Sequence, residues 1–161
     1  MTAIPPSLLE QGLKKLGCDA TALATLREEG HCLWRGKNGQ TSLLVPSLEG
    51  EAVFIVTPLT TIDPEKDGRL LALALHLNLS PAHTQNTCIA LDVERNSLCL
   101  RHAHDLTGHG ADQLLMVLDN LQSLGEQLRE LIEGFRRTQP GAGSPTGASN
   151  AFRPLAAQGL V

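Results

Sequence analysis

The chain has 161 residues, which fits one domain of ordinary size or one domain with a tail. Hydrophobic residues make up 42% of it, and 30 of them are leucine, whereas only 2% of the residues are aromatic. This composition favours helices over an all-β barrel. The net charge is −4, and there is no block of basic residues and no set of stacking aromatics, which argues against a nucleic-acid-binding protein.

The sequence contains no segment that predicts insertion into a membrane. No apolar run approaches the roughly 20 residues of a membrane-spanning helix, and residues 1–6 lack the charged and apolar regions of a signal peptide. We therefore expect a soluble, cytoplasmic protein. The cysteines form no C-x-x-C pair, and we interpret them as small buried hydrophobic residues, with a disulfide framework as the alternative. They are Cys18, Cys32, Cys88 and Cys99.

Composition divides the chain into a body and a tail. Residues 1–137 hold all 17 acidic residues, whereas residues 138–161 carry a single charge together with three prolines and four glycines. A segment of the second kind cannot form periodic apolar contacts. We predict one folded domain over residues 1–137, followed by a Gly/Pro/Ala-rich disordered tail.

The first predicted helix begins after two prolines near the N-terminus. Leu9, Leu13 and Leu16 recur at i, i+4 and i+7 with polar residues on the opposite face, and Gly17 is a natural stop. The segment Asp19–Glu29 could add a short second helix.

Three strands are predicted next, over His31–Arg35, Thr41–Leu48 and Ala52–Thr61. The segments between them have the length and the turn residues of hairpin loops, which indicates an antiparallel meander. Pro46 and Pro58 lack the N–H donor that a strand uses, so we expect each at a bulge, a strand end or a sheet edge.

The segment Gly68–Leu79 has two possible interpretations. Its leucines alternate with smaller and polar residues as in a strand, but it contains no β-branched or aromatic residue, and leucine and alanine favour a helix. Asp67 can cap such a helix, and Pro81 lies just beyond its end, so we predict a helix. Because it is apolar nearly all round, it needs cover on both sides. A sheet and the same helix of a second copy would supply this cover, which predicts a homodimer.

A second hairpin, over Thr87–Val93 and Leu98–Leu106, precedes a long helix over Ala111–Arg137. The apolar residues of this helix repeat at alternating spacings of three and four, which fits either a coiled coil or a core helix packed across the sheet. Because the helix follows a sheet, we favour the second. The repeat consists of Leu114, Val117, Leu121, Leu124, Leu128, Leu131 and Phe135.

A metal site is the one catalytic arrangement that the residues suggest. His102 and His104 lie two apart on a predicted strand, with Cys99 before them and His109 after them, and such residues can bind zinc. In a regular strand, however, Cys99 points to the face opposite His102. The chain also lacks a nucleophile elbow, a phosphate-binding loop and a dinucleotide-binding turn. We predict that the protein is not an enzyme and that it holds no metal or cofactor.

Several stretches carry a family resemblance. They are the opening helix Leu8–Gly17, the acidic-Gly segment Glu29–Leu33, the third strand Ala52–Leu59, the middle helix Leu70–Leu79, and the hairpin stretches Thr87–Asp92 and Leu98–Arg101. In this order they resemble the class I type III secretion chaperones of Gram-negative bacteria, the Tir-chaperone-like family. The resemblance covers residues 7 to about 136.

The resemblance implies a homodimeric α+β domain. It would contain an antiparallel twisted sheet of about five strands and three helices, in the order α-β-β-β-α-β-β-α. It also implies a cytoplasmic chaperone that binds the N-terminal segment of one or more effector proteins, which we call the cargo. Such a chaperone keeps its cargo non-globular and secretion-competent and delivers it to the secretion apparatus.

The resemblance also suggests site residues by position. In that family the middle helix forms much of the dimer interface, whereas apolar patches on the first helix and the sheet bind the effector segment. The dimer-interface candidates are Leu71, Leu75 and Leu79. The cargo-binding candidates are Leu9, Leu13, Leu16, Leu43 and Val45. For each of these residues, a place in the internal core is the alternative interpretation.

Other hypotheses stay open at this point. The chain could be a cytoplasmic dimerisation or adaptor domain without a secretion role, or a zinc-dependent enzyme built on His102 and His104. For the tail, our hypothesis is a tether that contacts the cargo or the secretion ATPase.

Overall fold

The computed structural model describes residues 7–108 and 110–138, which form five helices and five strands. In chain order they are α1 Leu8–Lys15, α2 Ala20–Glu29, β1 Cys32–Arg35, β2 Thr41–Pro46, β3 Ala52–Thr61, α3 Gly68–Leu77, α4 Pro81–Thr84, β4 Cys88–Asp92, β5 Ser97–Asp105 and α5 Ala111–Thr138. The α+β architecture with five strands is confirmed. None of the described helices is both long and apolar enough to cross a lipid bilayer.

The predicted number of three helices is wrong, because two short helices add to the total. α2 fills the segment that the sequence left open: the Asp19 carboxylate accepts from the Ala22 N–H at 2.7 Å, and Gly30 ends the helix in the left-handed conformation with φ 73°. α4 has only four residues, too few to show an apolar period. The predicted tail begins at Thr138, the last residue of α5, and its remainder lies outside the described residues.

The five strands form one antiparallel sheet in the order β1-β2-β3-β5-β4. The first three strands are the predicted meander, and the second hairpin joins it through β5. Pro46 ends β2, and the pairing of β3 with β5 shifts between Pro58 and Thr60. Both prolines therefore lie where the missing N–H donor does little harm to the ladder.

The alternating leucine segment folds as α3, in agreement with the helix prediction. Its buried residues are Leu70, Ala74 and Leu77, at helical spacing. Asp67 is the N-cap residue of the helix, but its side chain makes no capping hydrogen bond. Its carboxylate instead accepts from the Asp63 N–H at 2.9 Å and from Arg136 of α5 at 3.0 Å. The start of α3 is thereby tied to the end of α5.

The long helix α5 packs across one face of the sheet, as predicted for a core helix. A Cβ atom at Gly125 would lie 3.5 Å from Thr57 Cγ2 of β3, so the helix and the strand approach closely there. Arg129 donates to the Pro58 carbonyl at 2.9 Å, and Arg136 donates to the Thr61 carbonyl at 2.8 Å. The second half of the helix thus lies along the second half of β3. The α1 helix packs on the first half of α5, where Gly12 faces Leu114.

Candidate functional site

The face of the sheet that points away from α5 carries a row of apolar side chains. Leu33 of β1 pairs with Leu43 of β2, Leu43 with Val56 of β3, and Val56 with Arg101 of β5. Leu33 is 60% exposed, and Leu43 and Val56 are partly exposed. Side chains on one strand face at paired positions lie about 5 Å apart. The row therefore forms one continuous surface over four strands.

A second row lies beside the first. Val45 pairs with Phe54, and both are partly exposed. The Arg101 guanidinium lies over the Phe54 ring, 4.5 Å from its centroid, a distance at which a cation is attracted to an aromatic face. We call this surface the open sheet face; it consists of Leu33, Leu43, Val45, Phe54, Val56 and Arg101.

The cargo-binding candidates of the first helix lie in or against the core of the single chain. Leu9 and Leu13 have no exposed surface and belong to the core, while Leu16 is partly buried against it. This burial favours the alternative interpretation, internal core, for Leu9 and Leu13, and their role in cargo binding stays a prediction. Leu8, which the prediction did not include, is 43% exposed. It lines a groove of about 370 Å³ between α1 and the start of α5, together with Gly12, Lys15, Leu106 and Leu114.

An acidic side chain fixes α1 against α2. Glu10 is only 4% exposed, and its carboxylate accepts hydrogen bonds from Arg27 of α2 and, at 2.8 Å, from Lys14 of α1. The hydrogen bonds from Arg27 and Lys14 lower the pKa of Glu10 from 4.5 to about 2. The carboxylate is therefore charged at neutral pH, and its bonds hold together the two helices that precede the sheet.

The dimer-interface candidates, which lie in α3 or just beyond its end, differ in exposure. Leu75 and Leu79 are 69% and 82% exposed, whereas Leu71 is partly buried against the core. Leu91 of β4 and Val93, which directly follows that strand, are also exposed, and the sequence analysis did not single them out. We call the exposed pair formed by Leu75 of α3 and Leu79, two residues beyond its end, the α3 face.

The two outer strands of the sheet differ in whether a side chain makes hydrogen bonds with the backbone groups at the outer edge. The Asn78 side chain lies along the outer edge of β4, where it accepts from the Ile89 N–H at 2.7 Å and donates to the Ile89 carbonyl at 3.0 Å. This satisfies two backbone groups that a further strand would otherwise pair with. β1 is the other outer strand and, within the described residues, pairs with β2 alone.

Comparison with known proteins identifies the family of this chain. The model of the Tir chaperone protein (CesT) family matches residues 7–129. The chain belongs to the CesT family. No curated protein matches it in sequence.

Solved structures share the fold of this CesT-family chain. A chain of the HopA1–SchA chaperone–effector complex has a TM-score of 0.55 and 17% identity, covering 76% of this chain and 91% of that one. A chain of the heterodimeric ExoU–SpcU complex from the type III secretion system of Pseudomonas aeruginosa has a TM-score of 0.57 and 14% identity, covering 78% and 98%. The structure of the Yersinia pestis type III secretion chaperone SycH with a fragment of YscM2 has a TM-score of 0.51 and 21% identity, covering 75% and 96%.

The histidines of this CesT-family chain are not arranged with the other residues of the zinc hypothesis as a metal-binding group within the described residues. His102 and His104 lie on one face of β5 with ring centroids 6.4 Å apart, while Cys99 lies on the other face, paired with Pro58. Within residues 7–108 and 110–138, no three His, Cys, Asp or Glu side chains are grouped so that they could hold a metal ion. His109, the fourth residue of that hypothesis, lies outside the described residues.

The four cysteines are free thiols rather than a disulfide framework. Cys32 and Cys99 are buried, and Cys18 and Cys88 are partly buried, in agreement with their interpretation as small hydrophobic residues. Burial raises the pKa of Cys32 to about 11. This thiol is therefore protonated at neutral pH and is a poor nucleophile.

Proposed function

We propose that this CesT-family chain is a type III secretion chaperone that binds the N-terminal segment of one or more effector proteins. It keeps the segment non-globular and delivers it to the secretion apparatus, and it works in the cytoplasm of a Gram-negative bacterium. The open sheet face is the observation that carries the proposal. Related folds occur in a chaperone–effector complex and in a type III secretion chaperone with a bound protein fragment.

The chemistry of the open sheet face suits an extended, apolar cargo. Full burial of a leucine, valine or phenylalanine side chain is worth about 1.5–3 kcal/mol, and this surface offers five of them in two adjacent rows. An unfolded segment presents its own apolar side chains and unpaired backbone groups, which a compact partner has already buried. Strand β1 can pair with such a segment along its outer edge, as in other cases of strand addition. The chain needs no catalytic group for this role.

We also propose that the chaperone is a homodimer joined through the α3 face. Leu75 and Leu79 are two of the most exposed large apolar side chains in the described part of the chain, and a twofold axis would place them against their own copies. Delivery would then involve the secretion ATPase as a further partner.

The experiment compares effector binding by variants of two exposed sites. We expect Leu33→Asp combined with Leu43→Asp to weaken recovery of a secreted effector at least about tenfold when the chaperone is purified from its own cytoplasm. Loss of one leucine contact alone removes about 1.5–3 kcal/mol. Leu48→Asp is the control, because Leu48 is fully exposed in the loop between β2 and β3, outside this face.

Mass spectrometry of the recovered proteins and export assays supply the readouts. Circular dichroism melting checks that each variant folds. If the native chain recovers no secreted protein and effector export continues in its absence, the chaperone proposal is wrong. A dimeric chain with unchanged export would then indicate the adaptor role.

A further inference from the structure

The C-terminal segment after α5 is the feature that the proposed function leaves unexplained. Residues 139–148 have no charge and no large apolar side chain, whereas residues 149–161 contain Phe152, Leu155, Leu160 and Val161. The sequence after α5 therefore consists of an uncharged spacer followed by a short apolar segment. An apolar segment of this kind has the same chemistry as the cargo proposed above.

The end of α5 places the start of this segment beside the sheet. Arg136 donates to Thr60 Oγ1 at 2.9 Å and to the Thr61 carbonyl at 2.8 Å. Thr61 is the last residue of β3, the strand that contributes Phe54 and Val56 to the open sheet face. Val56 and Thr61 are five positions apart along the strand, about 17 Å at 3.3 Å per residue.

The spacer is long enough to cover this distance. The 14 residues from Thr138 to Phe152 reach up to about 46–50 Å when fully extended, and a flexible chain of that length has a root-mean-square span of about 19–22 Å. The distance of about 17 Å along β3 is shorter than the root-mean-square span, and the fully extended length leaves further chain to pass around the end of the strand. Phe152 and Leu155 can therefore reach the sheet of their own chain.

We propose that residues 149–161 bind the open sheet face of their own chain and occupy it until cargo displaces them. A short tether gives such a segment an effective concentration of the order of 1 mM. A binding constant that is weak for a free peptide, about 1 mM, then suffices to cover the face about half of the time. The binding itself does not depend on the proposed function, but the displacement by cargo rests on it.

The test compares methyl spectra of the full-length chain with those of tail variants. In Phe152→Asp combined with Leu155→Asp, we expect the methyl signals of Leu33, Leu43, Val45 and Val56 to shift from their native positions. Thr146→Asp combined with Gln158→Asp is the matched control. It adds the same charge to the tail, keeps the apolar residues, and should leave these signals in place.

A synthetic peptide of residues 149–161 provides a rescue. Added at millimolar concentration to the doubly substituted chain, the native peptide should return the open-face signals towards their native positions, and a peptide with the two aspartates should not. The same variant should bind cargo about twofold more tightly, because half of the native molecules have an occupied face.

Two results would overturn the proposal. Identical open-face signals in the native chain and in the Phe152→Asp, Leu155→Asp variant would show that the tail does not bind there. Shifts at Leu75 and Leu79 alone would show that it covers the α3 face instead. The spectra contain no cargo, so either result leaves the effector-recovery experiment, and with it the proposed function, to be decided separately.

Discussion

Gly36 lies in the turn between β1 and β2, where α5 passes over the sheet. A Cβ atom at this position would lie 1.5 Å from Gln122 Oε1. Gln122 is only 4% exposed, and its side-chain amide donates to the Gln40 carbonyl at 3.4 Å. The backbone of Gly36 does not lie in the left-handed region, so its conformation does not require a glycine. The close approach of the buried Gln122 side chain does.

We expect Gly36→Ala to lower the free energy of unfolding by about 1–3 kcal/mol, because Gln122 must move within a packed core and lose its hydrogen bond. Urea denaturation measures this change. In a Gln122→Ala background the same substitution should cost little. Gly134→Ala is the control: nothing lies near its Cβ position in α5, so it should stabilise the chain by about 0.5–1 kcal/mol. Equal costs of Gly36→Ala in both backgrounds would contradict the steric explanation.

The Glu10 carboxylate makes the free energy of unfolding of the chain depend on pH. Its pKa is lowered to about 2 by the hydrogen bonds from Arg27 and Lys14. A carboxyl group with a lowered pKa stabilises the folded state fully above its unfolded pKa, near 4.5, and loses this contribution as the pH falls towards 2.

Glu10→Gln should therefore unfold more easily than the native chain at pH 7, and the difference should shrink between pH 4.5 and pH 2. Urea denaturation at a series of pH values tests this. Glu28→Gln, at an exposed position of α2, should change stability little at any pH. A Glu10→Gln difference that is constant from pH 7 to pH 2 would show that the ion pairs do not stabilise the fold.

At the scale of the elements, local patterns predicted which segments fold, and less well what each one packs against. Hairpin-length connections with turn residues located all five strands within one or two residues of their bounds, and helix propensity correctly overruled alternation in α3. The i, i+4 stripe of α1 indicates a buried face but not the partner that buries it. Here the partner is α5 of the same chain, so Leu9 and Leu13 are core residues. The exposure of Leu33 follows from strand alternation around the buried Cys32, a signal that the sequence analysis did not use.

The α3 face allows a direct test of the homodimer. We expect Leu75→Asp to convert the dimer into a folded monomer, because the side chain is 69% exposed in the single chain and the new charge would be buried without a partner in the dimer. Size-exclusion chromatography with light scattering measures the mass, and circular dichroism the fold. Leu48→Asp, at a fully exposed leucine in a loop, should remain a dimer. A dimeric Leu75→Asp variant would place the interface elsewhere.

At the scale of the whole molecule, the leucines lie in three places: the core and two exposed surfaces. One part fills the core between α5 and the sheet, a second lies on the open sheet face, and a third lies on the α3 face. The sequence predicted that apolar surface would be left over for partners. It could not predict which side of the sheet remains open, because that depends on where the long helix packs.

If the α3 face is buried between two copies, stability must depend on protein concentration. A tenfold increase in concentration should stabilise the native dimer by about 1.4 kcal/mol per mole of dimer, because folding and association are then linked. We expect the urea midpoint of the native chain to rise with concentration and that of Leu75→Asp to stay constant. A native midpoint independent of concentration, at concentrations that span dimer dissociation, would contradict this linkage.

The hydrogen bonds of Asn78 with Ile89 have a consequence for how the molecule can assemble. A sheet with two available edges can extend in both directions and form fibres, whereas here a side-chain amide already satisfies the outward groups of Ile89 on β4. Pairing of a further strand with β4 would have to displace this amide, whereas β1 has no such obstacle along its outer edge within the described residues. We therefore expect an added strand to pair with β1 in preference to β4, which limits growth of the sheet in both directions.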